Sequence, residues 1–258
     1  MNVEKLLRNV LVSLLLVIAN PSYAYAQEPT AEAIIKAAID HERDTSSYSL
    51  ITMTIHRPDW ERAMTMRTWT KGMKKSLVRV VEPKKDAGSG NLLIDESMWS
   101  YAPNINRVIK LPSSMMNQSW MGSDFTNNDL AKADDIIDQY IHTLKEVRQH
   151  DGKKLYIIES VPKDAAPVVW GKEILQVRED YVMLEHEFYD QDGKLVKKLV
   201  TSDIKNMGGK VVAANMRMVK TEKPDEWTEV VIKDAKFGIS IPEQIFTLSN
   251  LRNPRQGY

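Results

Sequence analysis

From Ile51 the chain alternates apolar and polar residues. Ile51, Met53 and Ile55 are interleaved with Thr52, Thr54 and His56. A period of two is the mark of a strand with one face buried. The same rhythm predicts strands over about 62–70, 76–82, 91–95, 98–102 and 107–111. It returns late in the chain, where Met216 and Met218 alternate with Asn215 and Arg217, and Val230 and Ile232 with Glu229 and Lys233. Asp151-Gly152, Asp192-Gly193 and Gly208-Gly209 are turn signals between β-rich runs. Pro58-Asp59-Trp60 and Pro224-Asp225-Glu226-Trp227 both read as turns. Before the strands, Thr30 is a candidate cap for a helix reaching Asp44, with Ile34, Ile35, Ala38 and Ile39 on one side. No βαβ alternation occurs, so a parallel sheet is not expected.

The pattern sums to about ten to twelve antiparallel strands in a mainly β (α+β) chain. Around eight strands make a barrel that its own side chains nearly fill, and more strands must enclose spare volume or open. Two segments are candidates to cover such an opening: the N-terminal helix and the irregular stretch 113–140. The latter begins Ser113-Ser114-Met115-Met116-Asn117-Gln118-Ser119-Trp120-Met121-Gly122-Ser123-Asp124-Phe125. It has neither helical nor strand periodicity. Two readings stand: a loop that caps the core, or a mobile lid over an apolar cavity. Methionine is flexible and polarizable, which suits a surface accepting variable apolar partners.

The first residues add a compartment. Lys5 and Arg8 precede an apolar run from Val10 to Ala19, and Ala24-Tyr25-Ala26 follows. This reads as a secretory signal peptide with cleavage near Ala26. The run is too short for the roughly 20 residues of a spanning helix. The expected product is one domain, 27–258, soluble in the periplasm. The 258 residues contain no cysteine, so no disulfide, thiol chemistry or lipidated cysteine is available. Of 35 basic and 35 acidic residues, loss of Lys5, Arg8 and Glu4 leaves 33 and 34. That balance argues against a nucleic-acid partner.

Catalytic chemistry is hard to find. His41, His56, His142, His150 and His186 are scattered without metal-ligand spacing. Glu185-His186-Glu187 places the histidine on the opposite face of a strand from both glutamates. Asp134, Asp135 and Asp138 read as a solvated helix face. No G-x-S-x-G elbow and no phosphate-cradling glycine loop occurs. The expectation is a protein that is not an enzyme, without metal or cofactor.

Met98-Trp99-Ser100-Tyr101-Ala102-Pro103-Asn104-Ile105-Asn106-Arg107-Val108 resembles the strand-turn-strand of the LolA family. Trp120 to Phe125, then Asn128-Asp129-Leu130, is similar to a divergent branch of outer-membrane lipoprotein-sorting proteins. So is Ile241-Pro242-Glu243-Gln244-Ile245-Phe246-Thr247. The likeness extends over nearly the whole chain after the leader. It implies a half-open antiparallel β-barrel with helices over its mouth, and acyl chains as the bound group. The family's lid arginine falls on Gly72 in Lys71-Gly72-Met73-Lys74-Lys75, so that latch does not carry over.

On this reading Met64, Met66, Trp99, Tyr101, Met216 and Met218 line an apolar cavity, and Met115, Met116, Trp120, Met121 and Phe125 form its lid. Trp99 and Tyr101 share a face while Met98 takes the other, so alternation alone leaves their direction open. The implied function is a periplasmic carrier that moves an acylated lipoprotein or free lipid between inner and outer membranes. An inner-membrane transporter and an outer-membrane acceptor are the implied partners. The alternatives are a lipid-sensing regulator of a membrane partner and an envelope enzyme; the enzyme lacks a visible acid/base pair.

Overall fold

The computed structural model describes residues 28–254. The leader and its cleavage site lie outside the described residues. Helix α1 (Ala31–Arg43) starts where expected: the Thr30 hydroxyl accepts from the Ala33 N–H and caps the first turn. Its apolar stripe of Ile34, Ile35, Ala38 and Ile39 is buried.

Thirteen strands follow in one antiparallel sheet. The first six are β1 (Ser46–Arg57), β2 (Trp60–Lys71), β3 (Lys75–Glu82), β4 (Gly90–Ile94), β5 (Ser97–Ala102) and β6 (Arg107–Lys110). Then come β7 (Tyr140–His150), β8 (Lys153–Pro162), β9 (Lys172–Arg178), β10 (Met183–Tyr189), β11 (Leu195–Met207), β12 (Lys210–Lys220) and β13 (Lys223–Phe237). Each half is a meander, and β13 joins them by pairing with β1. The order is β6-β5-β4-β3-β2-β1-β13-β12-β11-β10-β9-β8-β7. The edges β6 and β7 do not meet, so the sheet is an open β-barrel. Its strand number exceeds the expected ten to twelve by one. One expected turn is absent: Pro224-Asp225-Glu226-Trp227 lies inside β13, and the reversal falls at Thr221-Glu222.

Cross-strand partners share a face. Leu175, His186, Leu199, Met218, Thr228 and Ile55 form one such row across β9 to β1. This inner face is covered by two segments. Helix α1 lies on Tyr156, Ile158, Leu175 and Val177. The connection from β6 to β7, including the short helices α2 (Asn127–Ala131) and α3 (Asp135–Gln139), covers the rest. The outer face of β2 to β5 is covered separately. There Trp69, Leu77 and Leu92 pack against Ile241, Ile245, Phe246 and Leu251 of the C-terminal segment, which ends in α4 (Leu248–Arg252). The buried Arg79 fastens that segment by donating from Nη2 to the carbonyls of Asn250 (2.7 Å) and Leu251 (3.2 Å).

Two outcomes test this packing. Ile35→Ala leaves a void between α1 and the sheet and is expected to cost about 2–5 kcal/mol, read by denaturant unfolding. On the outer face, Glu243 accepts from Lys71 (2.7 Å) and Lys75 (2.6 Å), whose hydrogen bonds lower its carboxyl from the ordinary 4.5 to about 2. A depressed carboxyl stabilises above its unfolded value and loses that contribution as pH falls. The melting-temperature difference between wild type and Glu243→Gln should therefore be constant above about pH 5 and shrink toward zero near pH 2.

Candidate functional site

The inner face of β1, β2, β3 and β13 is apolar. Met53, Ile55, Met64, Met66, Val78, Val80 and Val230 form its buried floor. Met216 packs at the margin of this floor, and Met218 is buried on the same face one row along β12. Four of the six cavity residues expected from sequence therefore come together. Trp99 and Tyr101 do not join them. They belong to the outer-face cluster with Leu92, Ile241 and Phe246, because Met98 takes the inner direction opposite Leu93.

The segment 113–131 lies on this floor. Trp120 is buried, and Met121, Phe125 and Leu130 pack beside it. Met116 covers Leu93 and Met98 at β4 and β5. Met115 is the exception among the expected lid residues, with 39% of its surface exposed. The Trp120 indole N–H donates to Asn91 Oδ1 at 3.0 Å. A buried indole needs such a partner, and the bond fixes the ring's depth.

The segment is built as a unit. The Ser119 hydroxyl donates to the Ser123 carbonyl, and the Ser123 hydroxyl to the Trp120 carbonyl. Asn127 donates to the carbonyls of Met115 and Gln118. Thr126 and Asp129 form a reciprocal capping box at α2. These internal bonds hold the segment together, and it meets the floor through apolar side chains.

Its charged ties to the sheet lie along one rim. Asp124, whose side chain is 0% exposed, accepts from Arg57 at the end of β1 through both oxygens, each at 3.1 Å. It also accepts from the Thr228 hydroxyl at 2.7 Å and pairs with Lys220 at 3.1 Å. Asp129 pairs with Lys197 at 2.6 Å, and the lysine side chain is only 4% exposed. Lys197 further lies over the rings of Phe188 (5.0 Å) and Trp170 (5.2 Å).

The sequence assigns none of these five charged residues a role; Asp124 and Asp129 fall only within the family-like stretches 120–125 and 128–130. The signal available was a lysine on the inward phase of a strand: Lys197 shares its face with Leu199 of β11. The carboxylates gave no signal, since Asp124 and Arg57 are 67 residues apart and Asp129 and Lys197 are 68 apart.

The histidine flagged in sequence is also placed. His186 points inward and pairs with Glu173 of β9 at 2.5 Å, while Glu185 and Glu187 take the other face. Burial, with Glu173 beside it, pushes the Tyr140 hydroxyl far above its usual value. A groove of about 780 Å³ lies on the opposite face, lined by polar residues such as Arg148, Gln176, Glu185 and Ser202. Among the described residues no helix is long and apolar enough to cross a membrane.

A family model described as "Uncharacterized protein" matches residues 72–253. No curated protein matches the chain. Solved structures are similar over almost their full length. A DUF1329 family protein from Desulfovibrio piger is 25% identical, with a TM-score of 0.75 over 86% of this chain and 98% of that one. An outer membrane lipoprotein-sorting protein domain from Vibrio parahaemolyticus is 23% identical, with a TM-score of 0.73 over 86% and 100%. A LolA superfamily protein from Nitrosomonas europaea is 23% identical, with a TM-score of 0.69 over 85% and 98%. The chain belongs to the family described by that model, and its fold is LolA-like.

Proposed function

We propose that this protein is a periplasmic carrier, not an enzyme, that takes up the acyl chains of a lipoprotein or free lipid on the inner face of its sheet. It would move that cargo between the inner and outer membranes, receiving it from a membrane transporter and yielding it to an outer-membrane acceptor. The observation that carries this reading is the lid. Trp120, Met121, Phe125 and Leu130 lie on a floor of Met53, Met64, Met66 and Val230, as an acyl chain would. An open sheet with an apolar inner face needs a cover, and a segment that supplies one through side-chain contact can be exchanged for another apolar occupant.

The energies are commensurate. Burying a methylene is worth about 0.8 kcal/mol, so a fully buried chain of ~16 carbons gains roughly 12 kcal/mol. That corresponds to about nanomolar binding, too tight for ready release. Displacing the lid consumes part of it, because the apolar contacts of Trp120 and its neighbours are given up as the chain enters. Methionine on both surfaces lets each repack against a partner of different shape.

Two substitutions of opposite sign test the reading. Met216→Glu places a charge at the margin of the floor, where the side chain is half-buried. It should weaken binding of a fluorescent acyl probe at least about tenfold while the melting temperature shifts by no more than about 5 °C. Trp120→Ala weakens the closed lid and should tighten binding of the same probe, because the cost of opening falls. Wild-type protein that binds no acyl probe, or a Trp120→Ala variant that binds it more weakly, would refute exchange between lid and chain.

A further inference from the structure

The rim that holds the lid is an unusual arrangement of charge. Lys197 on β11 and Lys220 on β12 are direct cross-strand partners. Like charges placed so are unfavourable by themselves. Arg57 stands at the same end of the sheet on β1 and shares Asp124 with Lys220. The sheet itself offers these three cations one carboxylate, Glu226 of β13, at 3.4 Å from Arg57, and Glu226 also pairs with the exposed Lys223 at 2.9 Å. The balance comes from the lid: Asp124 lies between Arg57 and Lys220, and Asp129 meets Lys197. With the lid closed, three cations face three carboxylates. With the lid lifted, three cations face one.

Local architecture accounts for only part of this. Asp129 is already used in its capping box, where it accepts from the Thr126 N–H at 2.7 Å, and a cap needs no lysine. Lys197 is not a surface residue reaching across to a neighbour. It is held 96% buried by two aromatic rings and one carboxylate. Burying an ammonium without a counter-charge is expensive, so when Asp129 leaves, Lys197 needs either water or another anion. Asp124 presents the same problem from the lid's side. A fully buried carboxylate with three donors on the sheet cannot depart cheaply unless its donors find a substitute.

We infer that the lid carboxylates stand in for the anionic headgroup of the cargo, and that Arg57, Lys197 and Lys220 form its binding site once the lid is displaced. This rests on the carrier reading and narrows its substrate to amphiphiles with a negatively charged head, a phosphate or a carboxylate, next to the acyl chain. The geometry fits such a molecule. The cations lie at one end of the apolar floor, and Met218, Thr228 and Ile55 occupy the row immediately inside them. An acyl chain on the floor would therefore place its head at the rim. The exchange is competitive in both halves of the ligand: chain for Trp120, Met121, Phe125 and Leu130, head for Asp124 and Asp129. An anionic head restores part of the negative charge the lid withdraws, so a neutral or zwitterionic lipid of the same chain length would open the lid at greater cost.

The test compares lipids that differ in head, two of them with matching chains. The mature full-length protein is titrated with pyrene-labelled phosphatidylglycerol, with the matching phosphatidylcholine, and with a fluorescent fatty acid. Phosphatidylglycerol or the fatty acid should bind at least about tenfold tighter than phosphatidylcholine, as one charge-assisted contact made or missed implies. Which of the two does so distinguishes a phosphate from a carboxylate head. In Lys197→Gln/Lys220→Gln the preference should fall to within about twofold, with phosphatidylcholine binding retained. Lys220→Gln alone, at a lysine 38% exposed, serves where the double variant fails to fold and should lose part of the preference. Asp124→Asn removes a competing carboxylate and should tighten anionic binding more than zwitterionic binding. Equal affinity of wild type for all three lipids, or a preference that survives both lysine variants, overturns the headgroup site while leaving the carrier reading intact. Failure of every lipid to bind overturns both.

Discussion

The structure depends on one unmet pairing: β6 and β7, the two ends of a thirteen-stranded sheet, do not join. A closed barrel of this size would enclose a lumen and satisfy its edges. An open one leaves a broad apolar inner face that must be covered by something. This chain covers it with two parts of itself. Helix α1 takes the β7–β9 end and the 113–131 segment takes the β1–β3 end. The two covers differ in kind. α1 is a regular amphipathic helix whose stripe matches the strands beneath it. The lid is irregular, held together by its own side-chain hydrogen bonds and fastened to the sheet by a few charges. A helix that packs along a whole stripe resists removal piece by piece; a compact unit with discrete ties can leave as one body.

How much of this was legible in the sequence follows from the range of the forces involved. Turns are set within four residues. Asp151 and Gly152 have φ of 50° and 75°, a backbone that Asp-Gly adopts readily, and the hairpin is where it was expected. At Gly208 the requirement is steric as well: a Cβ there would stand 2.6 Å from the Ala235 carbonyl oxygen. Helix α1 is equally local, with cap and stripe inside fifteen residues. Along β2 and β12, Met64, Met66, Met216 and Met218 share the inner face, because period two assigns residues to faces.

Period two does not say which face is inside. Trp99 and Tyr101 went to the outer face because a segment about 140 residues later, carrying Ile241 and Phe246, packs there. Nothing near Trp99 in the sequence encodes that arrival. Pro224 misled for a related reason. A proline beside Asp reads as a turn, yet the residue sits near the exposed start of β13, where a missing N–H costs little. The lid's ionic ties were least visible of all, since each joins residues more than 60 positions apart. What a sequence does show is the oddity that such ties must resolve: a lysine on the inward phase of β11.

That oddity also bears on why the lid is fastened by charge. A buried ion pair is weak evidence for stability, since a well-packed apolar pair of similar volume often does as well or better. An all-apolar seal between lid and floor would hold at least as firmly. It would, however, have no preferred replacement beyond another apolar body, and any exposed hydrophobic segment would compete for the floor. Charges change the rule of exchange. Once Asp124 is buried against Arg57, Lys220 and Thr228, leaving becomes costly for the closed state unless those donors are met again, and an anion at that end of the floor meets them better than water does. On the proposed reading, apolar contact sets how tightly an occupant is held and the rim sets which occupants are admitted; the two requirements together describe an amphiphile better than either does alone.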